Sequence, residues 1–242
     1  MKKGELTTQQ IVLLIILITS FIVILFFFFR LNLQEQTQKE ICHNSVVLKS
    51  NSKIASGFLD CRTNYLCISS GSSCESINPT QTIKISSSGN EKRNEVFEAL
   101  AKEMSDCWWQ FGEGKLDYAG GSTESSVNYA LCSIVEFDFG ENLQFSYKDF
   151  YDYLQSEQKS ESQTYLQYLY SINSLDEIPS IEQVDFSFED GFDSSQTYSI
   201  LTGIDKNLFD FVDDDIIFGV YIIPTLETNS RLESDRKFVT KS

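Results

Sequence analysis

Few residues in this 242-residue chain carry the means for chemistry, and their spacing narrows what that chemistry can be. Six cysteines, Cys42, Cys61, Cys67, Cys74, Cys107 and Cys132, all fall in the first 132 positions. No Cys-x-x-Cys pair occurs among them, which disfavours thioredoxin-type exchange and the usual paired thiolates of a zinc site. An even set in a loop-rich region reads as a disulfide framework in an oxidising compartment, with fifteen pairings open. Two pairings stand out. Cys67 and Cys74 flank a short polar turn and are expected to face each other across a hairpin. Cys107, on the apolar stripe of a helix, is matched with Cys132 in a strand-like run.

His43 is the sole histidine, so any Ser-His or Cys-His nucleophile would have to use it. It sits beside Cys42, and no Gly-x-Ser-x-Gly elbow is present, so an incidental or structural place is the expectation. Trp108 and Trp109 are adjacent and point about 100° apart on a helix. Trp108 belongs to the buried stripe. Trp109 falls at its edge, where an aromatic ring can stack on a sugar or a partner protein; these two residues are the candidate binding positions. The acidic clusters Glu189-Asp190-Gly191-Phe192-Asp193 and Asp213-Asp214-Asp215 lack the alternating ligand spacing of a calcium loop and read as solvated turns. No catalytic residue, metal or cofactor is assigned.

These residues need placing, and the N-terminal segment decides where. Ile11–Phe29 reads IVLLIILITSFIVILFFFF, with only Thr19 and Ser20 polar. Nineteen residues at helical rise make about 28 Å, the hydrocarbon thickness of a bilayer. A cleaved signal would have a shorter apolar core and a small-residue cleavage site; this run passes straight into Arg30. The expected order is therefore a cytoplasmic tail at 1–10, a transmembrane helix at 11–29 contacting the lipid bilayer, a helical stalk at 30–41, and an extracytoplasmic domain at 42–242, with a subdivision near 140. Because every cysteine follows the span, the C-terminal side is expected outside and the N-terminus inside.

Net charge is −16, with +2 on residues 1–30 and −18 on the remainder. Such an ectodomain is repelled by phosphate backbones, which argues against nucleic-acid binding. A hydrophobic content of 41% and an aromatic content of 13% describe a chain that folds.

The predicted elements are those of an α+β fold. Cys42–Ile85 reads as short strands and hairpins, including SVVLK, NYLCI and QTIKI. Residues 94–111 form a helix with Val96, Leu100, Met104, Cys107, Trp108 and Phe111 on one face, stopped by Gly112 and Gly114. Val127–Phe139 is strand-like. A helix follows Phe145 through a capping box at Ser146 and Asp149, and a shorter one covers 164–171. Tyr151, Tyr153, Tyr165, Tyr168 and Tyr170 occupy more than one helix face, some in the core and some on an interaction surface. Ile181–Phe188, Thr197–Ile204 and Ile216–Ile223 read as strands, the last as a central one.

The tetrapeptide Lys3-Gly4-Glu5-Leu6, leading into the apolar helix, resembles the processing site of archaeal type IV pilin precursors. The resemblance implies cleavage after Gly4, with Glu5 as the new N-terminus and the helix kept as an anchor or filament rod. Gln9 stands where many pilins carry Glu. The blocks KEICHNSVVLKS, DCWWQFGEGKLDY and TYLQYLY are similar to those of an uncharacterised family of archaeal single-span membrane-anchored proteins. That similarity implies an anchored ectodomain and no activity. Two functions are carried forward: a cell-surface protein acting through protein contacts or self-association, and an extracytoplasmic receptor or hydrolase with an aromatic, acidic pocket. The first is favoured.

Overall fold

The computed structural model describes residues 8–30, 33–51, 59–71, 74–86, 88–119, 126–139, 145–177, 191–193, 195–206, 216–226, 228 and 237–238. The chain divides into two compact units, Met1–Glu40 and Ile41–Ser242.

In the first unit, α1 runs Thr8–Arg30. Within it, Gln9–Phe26 is long and apolar enough to cross a membrane. Every large apolar side chain from Ile11 to Phe26 is open to the surroundings, between 39% and 65% exposed. Thr19 donates to the carbonyls of Ile15 and Ile16, and Ser20 to that of Leu17, each at 3.0 Å. Neither of these two hydroxyls is therefore left to disfavour an apolar solvent.

Helix α2 spans Leu33–Asn51. The expectation of strands from Cys42 is corrected here, because SVVLK is helical. No Gly or Pro interrupts 33–51, and Cys42 and Val46, four residues apart, both lie in the core of the second unit. That burial outweighs the β-propensity of two adjacent valines.

The sheet of the second unit is built from β1 (Asn64–Ser69), β2 (Gln81–Lys84), β3 (Ser126–Asp138), β6 (Thr197–Lys206), β7 (Ile216–Pro224) and β8 (Lys237–Phe238). Its order is β2-β1-β3-β6-β7, with β8 pairing β3. β1 and β2 are parallel, as are β1 and β3; β3, β6 and β7 run antiparallel. Strands from both sides of residue 140 share this sheet. Two expectations are overturned by the pairing. β1 and β2 do not form a hairpin, and β7 ends the order among the described residues instead of lying centrally. β7 reads as central because both its faces are buried. Val220 and Ile222 enter the main core, whereas Ile223 meets Tyr129 and Leu201 on the opposite face.

Two helices, α3 (Asn90–Gln110) and α5 (Tyr165–Tyr170), pack on the sheet, and α4 (Tyr147–Ser156) packs against both of them. The expected stripe of α3 is buried throughout. α4 begins at the expected capping box: Ser146 Oγ accepts from the Asp149 N–H, and the Asp149 carboxylate accepts from the Ser146 N–H. Those Ser146 bonds hold the Asp149 carboxyl below the usual range. A short hairpin, β4 (Gln158–Ser160) and β5 (Gln163–Thr164), links α4 to α5. Ile181–Phe188 lies outside the described residues.

All six cysteines are paired: Cys42–Cys61, Cys67–Cys74 and Cys107–Cys132, with Cα separations of 4.4, 5.8 and 5.6 Å. These distances lie within the span a disulfide bridges. Cys67–Cys74 joins a strand to a loop. The residues after Cys74 then wrap a buried carboxylate, because the N–H groups of Glu75, Ser76 and Ile77 all donate to Glu136 at 2.9–3.2 Å. Three aligned N–H groups make an anion cradle, here filled by the protein's own side chain.

Four phenols are deeply placed. Burial raises Tyr118, Tyr170 and Tyr221 above the ordinary phenol value near 10 and pushes Tyr151 up to about 12. Tyr170 also donates to the Val220 carbonyl, closing part of the β7 edge. A raised phenol pKa means that the folded state holds protons the unfolded state has lost. This stabilisation is complete below pH 10 and disappears as pH climbs through 10 towards 12 and beyond. Spectrophotometric titration is expected to show these four of the eleven tyrosines ionising only together with the loss of near-ultraviolet circular dichroism. Smooth ionisation of all eleven near pH 10 with the fold intact would refute their burial.

Candidate functional site

The sequence places Trp108 and Trp109 on one helix, and the fold separates their roles. Trp108 is buried, 7% exposed, under the turn that ends α3. A Cβ on Gly114 would stand 2.9 Å from the Trp108 ring. Gly114 also has φ +72°, so only glycine closes this turn without strain. Trp109 is 36% exposed.

His43 lies flat on Trp109, with ring centroids 4.3 Å apart and planes 13° from parallel. Its Nδ1 is 2.8 Å from the Trp109 carbonyl oxygen, which can only accept, so Nδ1 carries the proton. The one histidine thus fastens α2 to the C-terminus of α3, a structural placement.

The turn continues through Glu113, a non-glycine residue at φ +54° between two glycines. This left-handed conformation is costly for a residue with a Cβ. The Glu113 carboxylate accepts from Lys115 at 2.9 Å and from the Tyr168 hydroxyl at 2.9 Å. The Lys115 bond, then that of Tyr168 and the charges of Lys115 and the nearby His43, hold its pKa down against partial burial. Tyr168, on α5, has the Lys159 ammonium 5.3 Å over its ring. Histidine from α2, tryptophan from α3, glutamate from the turn after it and tyrosine from α5 are therefore linked on one surface.

Sequence reasoning singled out Trp109 and Tyr168 but missed Glu113. The available signal was Gly112-Glu113-Gly114, a charged residue set between two turn-formers.

Among the tyrosines, Tyr151 is fully buried and bonded to Tyr170 at 3.0 Å, whereas Tyr153, Tyr165 and Tyr168 are half-buried. Asp193 accepts from the Ser195 N–H at 2.8 Å and from the Gln196 amide at 3.0 Å, the pattern of a solvated turn. Asp213–Asp215, Gly4 and Glu5 lie outside the described residues. No group of three metal-ligating side chains is found among the described residues. With every cysteine in a disulfide, none is available as nucleophile or metal thiolate.

No protein-family model, curated protein or solved structure matches this chain.

Proposed function

We propose that this is a membrane-anchored protein whose α1 lies in the bilayer and whose disulfide-bonded head stands outside the cytoplasm, acting through protein contacts and not through catalysis. The observation that carries the reading is the exposure of α1. A run of large apolar side chains open on all sides, with its two hydroxyls satisfied internally, needs an apolar solvent. Three disulfides support an oxidising compartment for the head. In this reading residues 30–41 act as the stalk, and the N-terminus stays cytoplasmic. The resemblance to pilin precursors adds cleavage after Gly4 and retention of the helix as anchor or filament rod.

The alternative, a receptor or hydrolase with an aromatic, acidic pocket, draws on the exposed Trp109 beside Glu113. The committed sulfurs and the bonded histidine make the hydrolase version the weaker one.

Alkaline washing of membranes tests the anchor. The full chain is expected to stay in the pellet until detergent is added, and a chain lacking residues 1–30 to partition into the soluble fraction. Release of the full chain by the alkaline wash alone would remove the basis of the proposal.

A further inference from the structure

The outer row of α3, which ends at Trp109, and the neighbouring α5 carry a chemistry of their own. Glu98, Asp106 and Glu157 stand near the half-buried Tyr165, and Glu113 bonds Tyr168. Aromatic faces set among carboxylates suit one class of group, the organic cation.

The chain already shows this twice with its own lysines. Lys159 lies over the Tyr168 ring at 5.3 Å, and Lys115 sits on the Glu113 carboxylate at 2.9 Å. Trp109 offers the largest ring in the group; His43 covers one of its faces, which leaves the other for a cation. Among the described residues no lysine or arginine is placed over it, although it is 36% exposed. Lys102 shares the outer row of α3, four residues from both Glu98 and Asp106, so the row keeps its negative balance. The net charge of −16 extends that sign to the whole chain, which makes a second copy a poor occupant and a basic segment a good one.

We propose that the face formed by the end of α3 and by α5, centred on Trp109, docks a lysine- or arginine-bearing segment of a partner protein, one cationic side chain resting on the indole beside Glu113. This rests on the protein-contact reading above and adds the chemistry of the contact.

A dye-labelled hexa-arginine peptide is the probe, titrated by fluorescence anisotropy against the full chain in a neutral detergent at physiological salt. Because any polycation is drawn to an acidic chain, the decisive variants keep the charge. Trp109→Ala is expected to weaken binding about tenfold, the scale of one desolvated cation–aromatic contact. Trp109→Leu, which leaves an apolar side chain against His43, is expected to weaken it at least fivefold, so the result survives if the alanine variant is poorly folded. Glu113→Gln should weaken binding at least threefold, whereas Glu91→Gln, the same charge change in the first turn of α3, should alter it less than twofold. Wild-type affinity in Trp109→Leu would overturn the proposal, as would absence of peptide binding by the native chain. Neither result would alter retention of the chain in alkali-washed membranes, so this docking face and the anchor fail separately.

Discussion

Replacing Cys107 and Cys132 together with alanine is expected to lower the unfolding free energy of the head by about 3.5 kcal/mol, the chain-entropy value for a 25-residue loop. On a domain of this size that corresponds to a melting point lower by roughly 7–14 °C. The effect is large because of where the bond sits. Pairing between β3 and β6 shifts register between Leu131 and Ser133, so Cys132 occupies a bulge. Strict alternation would send Cys132 and Ser133 to opposite faces. The bulge instead lets both reach α3, Cys132 through the disulfide to Cys107 and Ser133 through a hydrogen bond to the buried Glu103. Removing the bond frees both the unfolded loop and the attachment of α3 to the sheet. Calorimetry under non-reducing conditions measures it, and a loss below 1 kcal/mol would mean that this bond does not constrain the chain as described.

Phe97→Ala comes next, with an expected loss of about 3–5 kcal/mol. Phe97 is 2% exposed, with its ring edge-on to Phe145 at 5.0 Å and tilted against Phe150 at 5.4 Å and Tyr153 at 5.5 Å. It is an aromatic contact between α3 and α4. Truncation removes the ring's burial and also leaves a hole lined by rigid aromatics that cannot easily collapse. Urea denaturation should show a lower midpoint with an unchanged slope. A variant within 1 kcal/mol of the parent would show that these rings do not pack around position 97.

How much of this was legible in the chain varies by element. The stripe of α3 reads directly, because Val96, Leu100, Met104 and Cys107 face one sheet and a helix period has no other explanation. The same stripe turns Cys107 towards the sheet, although which cysteine meets it there is not fixed by the helix alone; the bond to Cys132 is the one the fold makes. The capping box of α4 is equally local: Ser146 and Asp149 satisfy each other's backbone N–H groups whatever surrounds them.

What failed depends on distant packing. SVVLK has the composition of a strand, and only the burial of Cys42 and Val46 in the head makes it helix. The parallel pairing of β1 with β2 cannot be seen locally, because the polar turn after β1 suits a hairpin as well as a disulfide-bonded crossover. β7 misleads by its apolar run, which reports two buried faces, whereas among the described residues only β6 pairs with it.

The candidate surface divides in the same way. Trp109 is found from its angle on the helix. Glu113 becomes visible only when α5 brings Tyr168 to it, a contact across 55 positions. His43 could be recognised as the only histidine, but its stacking on Trp109 depends on α2 running through Cys42 as helix.

The most direct test of an exported, disulfide-bonded head on a membrane anchor is a count of reactive thiols. Washed membranes carrying the full chain are dissolved in denaturant with an alkylating agent, with and without prior reduction, and the protein is weighed by mass spectrometry. No alkylated cysteine before reduction and six after it is the expected result. Six alkylated cysteines without reduction would place the head in a reducing compartment and contradict the account.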